Sequence, residues 1–363
     1  MLVFLLVALA LFLLRADYKV SGFHADYASP RAVMPVKGLF ILLVFLSHFC
    51  TPGPYGYGVQ LAGPLDTGYK VLQNVLGQMI VVPFLFFSGY GVVERMRAAG
   101  EDYLRTFVVK RLVKTVVLFG VAVSLYMALR ALVFGATFPA KRMLLNYLGW
   151  TSAGNSNWYI FTVVLLYFGT YLSFCAFWSL GGRRREVCAV AGTTVVAALL
   201  VGGLSKCRPD YVYNTVFAYV AGCWFSLFRA QVEELLFRRF GTWLYAVAVA
   251  AAGFLMLNPF RAVTAASELL AAVFAVLVLL LMTRVRSKSW ILSWAGKHLF
   301  SLYILQRLPM LMLKGTAVAQ NRYVYAGVCL AATVALAVAF DFVTGWGWGL
   351  LERGVARLRR RTA

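Results

Sequence analysis

Lys37-Gly38-Leu39-Phe40-Ile41-Leu42-Leu43-Val44-Phe45-Leu46-Ser47-His48 has a cation at the start of an apolar run and an imidazole near its end. Lys37 and His48 are eleven positions apart. At about 100° per residue in an α-helix that is roughly three full turns, so both side chains lie on nearly one face, about 16 Å apart along the axis. Such residues are costly inside an apolar segment and usually face a bundle interior or a water-filled path. A neutral imidazole placed there can act as a general base, and a fixed cation can hold an anionic group. The alternative is that Lys37 reaches the headgroups and His48 sits at the opposite interface.

Other polar residues are candidates to join them. Glu268 lies about a turn inside the outer end of its apolar segment, at a depth similar to His48, where a carboxylate can accept from one ring nitrogen and leave the other as a base; Arg261 and Arg130 are its competing partners. Lys110, Arg111 and Lys114 open another apolar segment, with Lys110 and Lys114 on one face at i and i+4. They are topology markers or, beside Lys37, a cluster suited to a phosphate-bearing ligand. Ser88-Gly89, in Phe86-Phe87-Ser88-Gly89-Tyr90, permits close backbone approach to a neighbouring helix or a ligand. Trp158-Tyr159 follows Gly154-Asn155-Ser156-Asn157 and reads as an interfacial anchor or as a contact for a sugar. Asp341, Lys297 and His298 are accounted for by mutual pairing or an interfacial place.

The elements that position these residues are membrane helices. Of 363 residues, 62% are hydrophobic and only 13% charged, against roughly 25% charged in soluble domains. Continuous apolar runs recur along the whole chain, which selects an all-α bundle rather than an alternating barrel and leaves no room for a sizeable soluble domain. We expect spans near 1–14, 33–49, 71–93, 107–134, 158–180, 187–204, 211–228, 243–257, 265–283, 293–313 and 323–345. That makes ten or eleven, since the first is short and lacks a basic leader or cleavage signature. Thr51-Pro52-Gly53-Pro54-Tyr55-Gly56 ends the central one. The chain divides into a short span and loop at 1–31, a membrane domain at 32–350 and a basic tail at 351–363.

The net charge of +22 lies mostly in short loops, which argues for membrane topology and contact with anionic lipid, and against nucleic acid. Alternate loops carry 23 and 9 basic residues. The asymmetry predicts a cytoplasmic C-terminus and an outer N-terminus, with Lys37 near the inner end of its helix and His48 near the outer end. Six scattered cysteines without a Cys-x-x-Cys pair imply neither a disulfide framework nor a metal site. Phosphate loops, zinc helices and nucleophile elbows are absent, as are the paired broken segments of many transporters.

These residues resemble a known family, the family 3 integral membrane acyltransferases, many of which O-acetylate bacterial surface glycans. The resemblance runs from about Ala32 to Gly345. It rests on Lys37-Gly38 with His48, on Phe86-Phe87-Ser88-Gly89, on Lys110-Arg111 with Lys114, on Asn157-Trp158-Tyr159 with Tyr167, and on Ser301-Leu302-Tyr303-Ile304-Leu305-Gln306. Lys37 and Lys114 stand where arginine is usual, losing the bidentate fork, and Gln306 stands where many relatives have histidine. The resemblance implies a multi-pass plasma-membrane enzyme that takes an acyl group, commonly acetyl, from cytoplasmic acyl-CoA to a hydroxyl of a surface glycan, with no permanently bound cofactor. It further implies that His48 removes the hydroxyl proton or carries the acyl group, and that Lys37 neutralises the donor or the developing oxyanion. Ser88 and Gly89 would line the passage, the basic cluster would grip CoA phosphates, and Trp158 and Tyr159 would meet the acceptor. A transporter of a lipid-linked glycan, gripping pyrophosphate with the same cations, is the competing reading.

Overall fold

The computed structural model describes residues 1–51, 56–59 and 61–362, with side chains described except at position 65 and from 354 onward. Pro52 to Tyr55 of the expected helix stop, and the side chains of the basic tail beyond Arg353, lie outside the described residues. In chain order the elements are α1 (Leu2–Leu13), β1 (Ala16–Tyr18), α2 (Pro30–Phe49), α3 (Pro64–Leu76), α4 (Val82–Phe107), α5 (Lys114–Phe134), α6 (Ala140–Tyr147), α7 (Trp158–Ala176) and α8 (Gly182–Leu204). There follow α9 (Phe217–Val232), α10 (Phe240–Leu257), α11 (Thr264–Arg284), β2 (Val285–Ser287), α12 (Trp290–Lys297), α13 (Leu299–Leu305), α14 (Arg307–Leu313) and α15 (Arg322–Thr362). The architecture is the expected all-α polytopic bundle. One small antiparallel pair, β1 with β2, joins Ala16–Tyr18 to Val285–Ser287.

Every apolar segment expected to span contains helix, but among the described residues seven helical runs are long and apolar enough to cross a membrane. The difference from ten or eleven has local causes. The run 66–134 counts as one helical stretch, yet Gly100, at φ +53°, turns the chain inside it, so it holds two of the expected segments. The helix α1 has only 12 residues, about 18 Å, and α9 has 16 between irregular turns. The segment near 293–313 is divided at His298 and Gln306 into α12, α13 and α14. Near 71–93 the chain also breaks: Gly77 at φ +48° ends α3, and a short 3-10 turn over Gly77–Val81 precedes α4. The helix α6 was not anticipated.

Alternate loops gather on common sides, as the charge count requires. On one side β1 pairs with β2, Arg229 donates to the Ala25 carbonyl at 3.0 Å, Tyr27 donates to Glu233 at 3.0 Å, and Arg97 pairs with Glu186 at 3.3 Å. On the other, Arg208 donates to the Trp150 carbonyl at 2.6 Å, Lys314 to the Gly56 carbonyl at 2.6 Å, and Arg322 pairs with Asp66 at 3.0 Å. The basic-rich loops therefore share one face of the bundle.

Within this frame α2 is central: 67% of its apolar stretch is buried inside the protein, against 6% for Phe240–Phe260. Ser29 accepts from the Ala32 N–H at 3.2 Å and caps the helix, with Pro30 in its first turn. Against α2 lies α12 in near-backbone contact. A Cβ on Gly38 would stand 1.9 Å from the Leu292 carbonyl oxygen, and one on Gly296 would stand 2.0 Å from that of Met34. The helices α4 and α9 repeat the device: a Cβ on Gly89 would stand 2.1 Å from the Tyr219 carbonyl oxygen, and one on Gly222 would stand 2.0 Å from that of Phe86. Small residues permit this approach, which gains dispersion contacts where lipid tails provide no hydrophobic drive. The Ser88-Gly89 glycine is thus used for helix packing.

Glu268 of α11 has a structural partner as well. Its carboxylate accepts from the Val216 N–H at 3.2 Å and the Phe217 N–H at 2.8 Å, at the start of α9. Those N–H groups have no intrahelical acceptor, and the positive end of the helix favours a carboxylate there. The expected pairing with His48 is therefore not formed.

Two outcomes follow. Gly38→Val forces α2 from α12 and should destabilise the protein by about 2–3 kcal/mol or prevent its folding, whereas Gly91→Ala, with nothing within 4 Å of the added carbon, should leave the melting temperature in detergent unchanged or slightly raised. Glu268→Ala removes the acceptor of the Phe217 N–H and leaves the Val216 N–H only its 3.4 Å bond to the Tyr213 carbonyl, and should cost about 1–3 kcal/mol by the same thermal measurement, while the folded fraction keeps its turnover.

Candidate functional site

His48 lies in the last turn of α2, half-buried, and opens onto a cavity of about 770 Å³. The cavity is bounded by α2 through Val44 and Ser47, by Cys50 and Thr51 just after it, by α3 through Lys70, Gln73 and Asn74, by the turn with Gly77 and Gln78, and by Trp158 and Tyr303. The helix α3 forms one wall because it is amphipathic. Its lysine and amides face the cavity, and Gln73 Nε2 is anchored to the Ser47 carbonyl at 3.3 Å.

The imidazole is held from the opposite side by the loop before α7. Ser156 Oγ lies 3.3 Å from His48 Nε2, within hydrogen-bond distance, while His48 Nδ1 is buried without a partner. The loop can position Ser156 because its own side chains tie it down. Asn157 Nδ2 donates to the Gly149 and Thr151 carbonyls at 2.6 and 2.9 Å, Ser152 donates to the Asn155 carbonyl at 2.6 Å, and Arg130 donates to the Ala153 carbonyl at 3.2 Å. Asn and Ser suit this task because their short side chains reach nearby backbone groups. Arg307, whose Nε donates to Tyr57 at 2.5 Å, is close enough to His48 to act on it electrostatically.

At the other end of the same helix face, Lys37 meets Arg111. The two cations act on each other as like charges. Lys37 has no hydrogen bond or ion pair among the described residues. Arg111 donates to Tyr103 at 3.2 Å and lies 5.9 Å from the Tyr167 ring centroid, with no carboxylate paired to it. Two inward cations with no acid paired to them among the described residues have the chemistry to hold an anion. Arg111 reaches this place because Val108–Val113 is a π-helical turn, whose wider spacing of residues alters the faces expected from i, i+4 geometry. Lys110 consequently points outward and is exposed, and Lys114 stands over the Trp348 ring at 5.6 Å. Neither joins Lys37.

The cavity lining includes neither Lys37 nor Arg111. A column of buried tyrosines fills the space between the two ends. The His48 and Tyr303 rings are 6.3 Å apart, Tyr303 and Tyr159 5.3 Å, and Tyr167 and Tyr219 6.1 Å. Tyr159 and Tyr167 are near enough to interact, and the Ser88 hydroxyl sits against Tyr159. Of the residues expected from the sequence, the structure brings His48 and Trp158 to the cavity, Lys37 and Arg111 to the basic end, and Ser88 and Tyr159 between them. Gly89, Lys110, Lys114 and Glu268 serve elsewhere. Reasoning from sequence missed the roles of Ser156, Tyr303, Arg307 and the α3 amides. The Gly/Asn/Ser-rich loop before Trp158 was the available signal for Ser156.

Comparison with curated proteins and with solved structures yields no match. The family model described as an acyltransferase domain matches residues 36–342, a stretch that contains the basic pair, the tyrosine column and the cavity at His48. The chain therefore belongs to acyltransferase family 3.

Proposed function

We propose that this membrane acyltransferase moves an acyl group, acetyl in the simplest case, from cytoplasmic acyl-CoA to a hydroxyl of a surface glycan, working in the plasma membrane. The observation that carries the reading is the pairing along one helix of an acid-free cation pair, Lys37 with Arg111, and an imidazole facing a roomy cavity, His48. The excess of basic residues on the Lys37 side favours a cytoplasmic location for it, the compartment of CoA esters.

The division of labour follows from the chemistry. Lys37 and Arg111 hold CoA phosphates, and the about 16 Å to His48 is a span for an extended pantetheine arm, provided the tyrosine column shifts to admit it. The acceptor enters the outer cavity, where Trp158 offers an aromatic face and Gln73, Asn74 and Gln78 offer amides. Neutral His48 takes the proton of the acceptor hydroxyl as its oxygen attacks the thioester carbonyl. The carbon–sulfur bond breaks, and the proton passes from the imidazolium to the CoA thiolate. Ser156 orients the ring.

Membranes incubated with radiolabelled acetyl-CoA test the reading by label in glycan and release of free CoA. His48→Ala should lower the rate about 10²- to 10⁴-fold. Lys37→Ala should raise KM for the donor about 10- to 100-fold, the loss of one charge-assisted contact, and Lys37→Arg should restore most of it. Full activity in His48→Ala contradicts the assignment. Glycan movement with neither label nor CoA release identifies a transporter instead.

A further inference from the structure

The cavity at His48 adjoins a second one, of about 390 Å³. Gln73, Asn74, Gly77 and Gln78 line both, so the break after α3 is the saddle between them. The second is completed by Asp210, Tyr211, Asn214 and Arg261. An aromatic surface crosses the saddle: Trp158 belongs to the first cavity and Tyr211 to the second, and their ring centroids are 6.2 Å apart in edge-to-face contact.

Several polar groups of this second cavity are already bonded within the protein. Arg261 donates to the Asn74 carbonyl, Gln78 Nε2 donates to the Tyr211 carbonyl at 2.9 Å, and Asp210 accepts from the Tyr211 N–H at 2.8 Å. Asn214 is only 3% exposed, and its side-chain oxygen is buried without a hydrogen-bond partner among the described residues. A buried amide oxygen left unpaired is costly and rare. It calls for a donor from whatever fills the space.

The chemistry narrows the occupant. Ring faces match the C–H faces of a sugar, and neutral amides match its hydroxyls. An acyl chain would leave Asn214 unpaired, and a phosphodiester, which only accepts, could not donate to its oxygen. We infer that the second cavity is a saccharide subsite, so that the acceptor is an oligosaccharide held by at least two residues. One presents its hydroxyl to His48, and the next lies against Tyr211 and donates to Asn214. The inference rests on the glycan-acceptor reading and fixes a minimum acceptor length.

The test uses the full chain in lipid nanodiscs with radiolabelled acetyl-CoA. The acceptors are single sugars, disaccharides and trisaccharides prepared from the surface polysaccharide of the producing organism. kcat/KM should rise about tenfold from single sugars to the longer acceptors, the worth of one further hydrogen bond with stacking. Asn214→Leu should bring that ratio near one through KM. Tyr211→Ala, which changes a ring that is 44% exposed and so spares the fold, should do the same. Equal kcat/KM at all lengths, or a ratio intact in both variants, overturns the subsite. Absence of label at every length overturns acyl transfer to glycans itself, and the subsite with it.

Discussion

The structure depends on the cost of keeping polar side chains in hydrocarbon. An ammonium and an imidazole along one helix face cannot both be turned to lipid, so α2 must be enclosed. The enclosure is achieved by backbone contact. Gly38 and Gly296 let α2 and α12 approach until a single methyl group would collide with a carbonyl, and Gly89 and Gly222 do the same for α4 and α9. Leaving out side chains at four points brings the helices close around Lys37 and His48.

What fills the interval is a set of phenols. Tyr303, Tyr159, Tyr167 and Tyr219 are all buried, large enough to exclude lipid and water yet polar at one end. They separate the acid-free cations from the cavity at His48. A barrier of this kind suits a transfer between two compartments: the imidazole is shielded from one side while exposed to the other, and donor binding has a defined obstacle to displace.

The sequence made the central pair legible because helical periodicity relates positions 37 and 48 without reference to any other part of the chain. The membrane class, the grouping of alternate loops and the family-like order of motifs were legible for similar reasons: they depend on composition or on short stretches. Relations across the bundle were not. Glu268 looked free to serve His48 because its depth matched, but depth says nothing of rotation about the bundle axis, and two backbone N–H groups of α9 take the carboxylate. Of Lys110, Arg111 and Lys114, expected together, only Arg111 comes to Lys37, because one π-helical turn altered the spacing. Ser156 came to His48 through a loop whose shape depends on Asn157 and Ser152 bonding to its own backbone. By length the count is seven rather than ten or eleven because 66–134 joins two expected segments in one helical run, α1 and α9 are short, and His298 and Gln306 divide the segment near 293–313.

The central claim is that one helix joins a donor's anionic end to the reacting group. It is tested most directly by an electron cryo-microscopy structure of the protein in nanodiscs with a non-hydrolysable acyl-CoA analogue. Expected is phosphate density between Lys37 and Arg111, with the pantetheine arm displacing the tyrosine column and the carbonyl carbon about 3–4 Å from where a hydroxyl at His48 Nε2 would attack. Density for the phosphates in the outer cavity, or anywhere apart from both cations, contradicts it.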